Sequence, residues 1–295
     1  MDHSTALATL SSDTKNQLQH RSDVAGMLHL VGHVTAIFLC SGYIIAQLPF
    51  WYLMMLPQGV LLVFLFTLSH ECTHFTPFKT RWINNAVGHA VSLPLILPFT
   101  WFRYFHLAHH KHTNDPDNDP ELEHGPRPNS RKGMLLYLSG LGYWRAMVTT
   151  LIQNALGQIH APYLPERKHG AIKREARILL GLYVLIGLSL ILSPLALTLW
   201  LVPILIGQPI LRLYLLAEHG LCPPVANMLE NTRTTFTNRV IRALAWNMPY
   251  HAEHHSAPNV PFHQLPALHD HLRDHLKSTS NGYSEFSRDY IRTLD

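Results

Sequence analysis

The chain has 295 residues, 47% of them hydrophobic and only 14% charged, where soluble domains carry roughly 25% charged residues. That deficit excludes an ordinary soluble domain, and the formal charge of +4 does not point to nucleic acid, because the basic residues flank apolar runs, where membrane topology accounts for them. Three cysteines, Cys40, Cys72 and Cys222, form no CxxC and no pairing motif, which argues against a disulfide framework and a cysteine-ligated zinc ribbon.

Residues 1–23 are polar and read as a cytosolic N-terminal segment, without the short apolar core of a cleavable signal peptide or a lipidation motif. Residues 24–48 contain no Asp, Glu, Lys or Arg, and after Pro49 a second apolar run covers 50–68. Together they have the length of two membrane-spanning helices joined by a tight turn. Two further runs, 178–192 and 195–216, flank Pro194 and are interrupted only by Arg212. The expected architecture is an all-α integral membrane protein with four transmembrane helices in two hairpins, each with an uncharged tip. Two other apolar stretches, Trp82 to Phe102 and Met134 to Ile159, contain Gly or Pro and are read as membrane-surface or re-entrant helices. Pro, Asp and Asn make residues 113–131 a loop.

Basic residues collect between the hairpins (Lys79, Arg81, Arg103, Lys111 and others) and after them (Arg233, Arg239, Arg242). The positive-inside rule then places both termini and the middle segment in the cytoplasm.

Three histidine clusters fall on that same side. They read His70-Glu71-Cys72-Thr73-His74, His106-Leu107-Ala108-His109-His110 and His251-Ala252-Glu253-His254-His255. The i, i+3 and i+4 spacings put the imidazoles of each cluster on one helix face. Eight rings exceed the roughly four ligands of a single zinc site and suffice for two metal ions. Glu71 and Glu253 are candidates to orient a ligand ring through its second nitrogen, and Asp115, Asp117 and Asp119 are less specific candidates. The first cluster also fits the zinc-protease pattern HExxH, but one zinc leaves at least five clustered histidines unexplained. A metal transporter would string histidines through its spans, and here they gather at one face. Abstracting hydrogen from an unactivated methylene needs a metal-based oxidant, so paired irons acting with O₂ beside a lipid chain fit the clusters best.

Over roughly residues 25–275 the chain resembles the membrane fatty acid desaturase superfamily, which includes acyl hydroxylases and ketolases. The resemblance rests on HxxxH, HxxHH and HxxHH in this order among four apolar runs, and on the texts FHLAHHKHTNDPDNDPE and NMPYHAEHHSAPNVPFHQLPALH. It implies four transmembrane helices under a cytosolic helical cap, a desaturase-like domain over residues 24–275 and a cytosolic C-terminal tail, 276–295. It implies two non-haem Fe ions as cofactor, with O₂ as co-substrate. By this resemblance the metal ligands are His70, His74, His106, His109, His110, His251, His254 and His255, with His219 of Ala217-Glu218-His219 as a ninth. His112 and His124 have no place in the pattern, and His29, His33 and His89 read as packing or cavity residues. The substrate is a lipid or acyl carrier. A fused cytochrome b5 domain has no room here, so a separate ferredoxin, rubredoxin or cytochrome is the expected electron donor. Desaturation and hydroxylation on the same scaffold are both open. Arg233, near the third cluster, is either a contact for an anionic substrate group or a plain loop arginine.

Overall fold

The computed structural model describes residues 1–123 and 127–295; His124 lies outside the described residues. Two short helices, α1 (His3–Ala8) and α2 (Ser12–Leu18), open the chain, with Asp2 and Ser11 accepting from the Thr5 and Thr14 amides as N-caps. Helix α3 (Asp23–Ile45) is capped by Ser22. Asp23 in its first turn also accepts from the Thr80 amide and hydroxyl at 2.8 and 2.6 Å, which ties the helix start to the segment after the first histidine cluster. A tight turn at Gln47, Pro49 and Phe50, with Gln47 and Phe50 in the left-handed region, sends the chain back into α4 (Met55–His74).

Three segments are long and apolar enough to cross a membrane: Ser12–Ile45, which contains α3, Trp51–His74, which contains α4, and Leu197–His219. The second continues six residues past the apolar run read from sequence, so His70 and His74 are carried by the helix itself. Exposed Leu28, Val31, Phe38 and Leu39 line α3, as expected of a surface turned to lipid. The expected span at 178–192 takes another form. Residues 178–189 are the second half of α9 (Glu166–Ser189), whose first half carries Glu166, Arg167, Lys168, Lys173, Arg174 and Glu175. That charge keeps the whole helix from being a continuous apolar span.

Neither ambiguous stretch forms one long helix. The first divides into α5 (Arg81–Ser92), a 3₁₀ turn and the start of α6 (Phe99–His112). The second becomes α7 (Arg131–Leu138) and α8 (Leu141–Leu156), broken at Gly140, whose φ of 71° favours glycine. At 1.5 Å per residue the longest of these, 16 residues, falls short of a ~30 Å hydrocarbon core.

A π-helical turn at Leu197–Leu201 leads into α10 (Val202–His219). Helices α4 and α10 pack backbone to backbone. A Cβ on Gly59 would overlap the Pro203 carbonyl, and one on Gly207 would crowd the Gly59 carbonyl group at 2.5 Å. This close approach brings the first histidine pair and His219, at the same ends of the two helices, onto one level.

The chain then forms a cap of α11 (Met228–Asn231), β1 (Thr234–Thr235), α12 (Arg239–Leu244), α13 (His251–Ser256), α14 (Leu265–Leu272), β2 (Thr279–Ser280) and α15 (Tyr283–Arg292). The two short strands pair in parallel. Residues 276–295, read from sequence as a tail, are folded: Phe286 and Tyr290 of the amphipathic α15 are buried with Leu216 and Ala217 of α10.

Candidate metal centre

Four elements supply the nine rings. The C-terminal turns of α4 carry His70 and His74, α6 carries His106, His109 and His110, α10 ends on His219, and α13 presents His251, His254 and His255. Helical spacing aims each set inward, and the elements close around one another. The donor nitrogens of His70, His74, His106, His110 and His254 lie within 4.8 Å of one another, and those of His109, His219 and His255 form a second such group. The groups abut, since His110 of the first stacks on His255 of the second at 3.9 Å between ring centroids. His251 sits beside the second group, 4.6 Å from His255 and 5.0 Å from His219 between centroids. The structure therefore brings all nine sequence-predicted rings together. His29, His33 and His89 stay outside the two groups. His33 bonds the Leu61 carbonyl and His29 the Ala243 carbonyl. His89 packs edge-on against Phe99 at 5.1 Å between ring centroids, and its half-exposed ring also pairs with Glu175 at 2.9 Å.

Outer hydrogen bonds fix how several rings face. Buried Asp119 accepts from His109 Nδ1 at 2.9 Å. His219 Nδ1 donates to the Asn231 carbonyl at 3.3 Å. Thr113 donates to the His109 carbonyl, so its hydroxyl oxygen accepts from His255 Nδ1 at 3.0 Å. With Nδ1 engaged outward, the Nε2 atoms of these three rings face in, and those of His109 and His219 stand 3.2 Å apart. In the first group, His74 Nε2 and His106 Nε2 meet at 2.9 Å. Among the described residues, both nitrogens of His70, His110 and His254, and Nε2 of His255, are buried without any hydrogen-bond partner.

Buried polar atoms are rarely left unpaired. So many lone pairs converging in two places fit two metal ions, and nitrogen-rich donors suit first-row transition metals. Burial first, then neighbouring imidazoles, hold His106, His110, His254 and His255 well below the usual histidine pKa, and His251 is shifted the same way. These rings are neutral near pH 7, the form that binds a metal. His109 differs: burial lowers its pKa, but the Glu121 charge and the Asp119 bond more than offset this and raise it. Burial works to raise Asp119, and its bond to His109 prevails and lowers it.

The acidic residues divide into distinct jobs. Glu71 accepts from Thr76 Oγ1 at 2.9 Å and from the Phe262 amide at 3.1 Å, and its other oxygen faces His254 Nδ1 at 3.4 Å. It fastens the third cluster to α4. Glu253, expected to orient a metal-facing ring, instead accepts from Thr234 and from His269, both at 2.5 Å, and so braces the cap. Asp115 and Asp117 belong to an exposed turn. Glu218 Oε1, 3.5 Å from His251 Nδ1, and Thr113 were not identified from sequence. Glu218 adjoins His219 in the chain, which was the available signal; Thr113 had none. Arg233 is neither an exposed loop residue nor a free anion contact. It is buried, donating to the carbonyls of Ala217, Gly220 and Thr279 and to Ser280 Oγ, and so locks α10 to the cap strands.

Comparison with known proteins agrees with this geometry. Residues 46–287 match the family model described as fatty acid desaturase, a stretch that contains every ring of the cluster. An sn-1 oleoyl-lipid 12-desaturase of Picosynechococcus sp. is 33% identical over 126 residues, covering 40% of this chain and 34% of that protein. Fatty acid conjugase FAC2 A of Calendula officinalis is 30% identical over 146 residues, 47% of this chain and 38% of that one. An sn-1 acyl-lipid omega-3 desaturase (ferredoxin) of Nostoc sp. is 37% identical over 71 residues, 24% and 19% respectively. The chain thus spans well under half the length of these relatives. With the ordered histidine boxes inside a match that covers most of its length, the chain belongs to the fatty acid desaturase family.

Proposed function

We propose that this protein is a membrane-bound, O₂-dependent acyl-lipid desaturase with two non-haem irons held by His70, His74, His106, His109, His110, His219, His251, His254 and His255. One observation carries the reading: two adjoining groups of imidazoles, with inward-facing or unpartnered nitrogens, lie at the same ends of α4 and α10. When bound, the irons supply the oxidising power that side chains lack. Overall, one O₂, two external electrons and two protons convert a –CH₂–CH₂– unit to –CH=CH– and yield two waters. The protein's part is to hold its imidazoles neutral and fixed. Asp119 holds His109, Thr113 holds His255 and the Asn231 carbonyl holds His219, while Glu71 and Glu218 face His254 and His251.

In this reading α9 and α10 form the second hairpin, the apolar half of α9 (178–189) entering the bilayer and its charged half remaining in the cytoplasm. Both termini and the cap are cytoplasmic, and residues 24–275 form the catalytic unit. The electron donor is a separate carrier. A ferredoxin, the donor in the name of the Nostoc desaturase, is the first choice. Hydroxylation on the same scaffold is the second reading, because a small change in substrate pose decides between the outcomes.

The test is expression of the full chain in a host of known lipid composition beside a His109→Ala control. Acyl products lighter by two hydrogens and about two irons per chain are expected. Products heavier by one oxygen favour the second reading, and lipid profiles identical to the control refute both.

A further inference from the structure

Arg212 is the one basic or acidic residue of α10 before Glu218, and the metal centre makes no use of it. Its Nε is buried with no hydrogen-bond partner. Among the described residues it forms no ion pair. Its guanidinium stands over two aromatic rings, 4.5 Å from the centroid of Tyr143 and 5.7 Å from that of Tyr137. Those tyrosines bracket the α7–α8 turn. One helical turn before Arg212 lies Gln208, wholly buried, with neither amide atom bonded. Gln208 packs against Gly140, where any Cβ would overlap its side chain. Residues four apart on a helix share a face, so the orphaned amide and the unpaired guanidinium lie on the same side of α10, packed against the α7–α8 turn.

An intramembrane arginine is retained only where it meets a counter-charge or a polar partner. Aromatic faces supply part of that, and they leave the planar N–H fork free for a carboxylate or phosphate. Counting about 20 residues from Leu197 for the hydrocarbon thickness puts Arg212 in the last turn or so of the apolar layer, about 7 Å inside its headgroup boundary. His219 follows two turns later on the same side of α10, about 10 Å along the axis. Leu135, Leu136 and Leu141 are exposed on α7 and α8 about the turn between them and give an apolar approach.

We propose that Arg212 and Gln208, walled by Tyr137 and Tyr143, bind the oxyanion head of the acyl substrate. This rests on the desaturase reading and narrows it to lipids with a phosphate or carboxylate at the polar end. The site fixes how far from the head the chain meets the metal centre.

The test is native mass spectrometry of the iron-loaded full chain in detergent. It is offered phosphatidylglycerol, oleate or a neutral monogalactosyl diacylglycerol. Wild type is expected to retain at least one anionic lipid ten-fold or more above the neutral one, and whichever is retained identifies phosphate or carboxylate as the head. Arg212→Gln abolishes the preference, Arg212→Lys keeps part of it, and Gln208→Leu weakens it several-fold. Arg177→Gln, an exposed cation on α9, leaves it intact. Iron content reports folding, and if Arg212→Gln loses its iron, the Lys and Gln208→Leu variants carry the test. No headgroup preference in wild type, or an undiminished one in every Arg212 and Gln208 variant that folds, overturns the assignment. An Arg212-dependent preference without new double bonds in expressing cells would leave the anion site standing and remove desaturation. Double bonds formed without a headgroup preference would remove the anion site alone.

Discussion

Asp119 and Arg233 show how residues outside the histidine boxes set the centre. Asp119 reaches His109 from a loop ten residues on, and both side chains are almost wholly buried. Its carboxylate fixes the His109 tautomer and also accepts from the Asn114 and Glu121 amides. Removing an outer partner of a metal-bound histidine typically weakens metal affinity about 10–100-fold. Asp119→Asn is expected to lose iron at that scale in competition with a chelator; unchanged retention would contradict the role. Arg233→Met strands the carbonyls of Ala217, Gly220 and Thr279. With each unpaired buried group costing about 1–3 kcal/mol, a loss of about 3 kcal/mol or more is expected in thermal unfolding, with a smaller loss for Arg233→Lys, which retains some of the bonds. The convergence of the nine rings was legible because i, i+3 and i+4 spacing on a helix is written in the chain. Thr113, Glu218 and the fate of Arg233 were not, because each acts on a partner that only folding brings near. Glu253 shows the same limit from the other side: proximity to a histidine in sequence did not give it a metal-facing ring.

At the level of elements, the apolar runs announced α3, α4 and α10, and the positions of Pro49 and Pro194 announced the turns. Two things escaped. The charged half of α9 joins the apolar half in one helix, which composition alone reads as loop followed by span. The pairing of α4 with α10 depends on Gly59 meeting Gly207, and a lone glycine in an apolar run does not reveal its partner. That pairing holds His70 and His74 level with His219. Overpacking in a core costs about 1–3 kcal/mol where side chains can adjust, and here the obstacle is backbone. Gly207→Leu is therefore expected to lower both thermal stability and iron per chain. Gly32→Leu, at a position with open space around it, is the matched control and should change neither. Equal iron content in the two variants would mean that the helix contact does not set the spacing of the centre.

For the molecule as a whole, the centre is a stored electrostatic conflict that a bound cation would resolve. Without metal, neutral imidazoles crowd together with their lone pairs facing one another, in a largely buried site. A ligand that binds only the folded state at 1,000 times its dissociation constant adds about 4 kcal/mol, so stripping the metal should lower the unfolding temperature markedly. The metal-free protein should also be sensitive to acid. In the unfolded chain each histidine takes up a proton near its ordinary pKa of about 6.5, whereas burial and mutual repulsion hold His106, His110, His251, His254 and His255 unprotonated to lower pH in the fold. Below pH 6.5 the unfolded state therefore binds more protons, and stability falls as pH drops toward the depressed folded values. His109 acts in the opposite sense, since its folded pKa is raised: its contribution is present in full below 6.5 and is lost as pH rises. One ring cannot offset five. A thermal-unfolding series on stripped protein from pH 8 to pH 5 should show only a shallow change above about 6.5, where His109 alone among these rings titrates, and a steep decline beneath it. The iron-loaded protein should keep its unfolding temperature further into acid, until protons displace the metal. A stripped protein equally stable at pH 5 and pH 8 would mean that the rings are not held neutral by burial, and that they are not preformed to receive a metal.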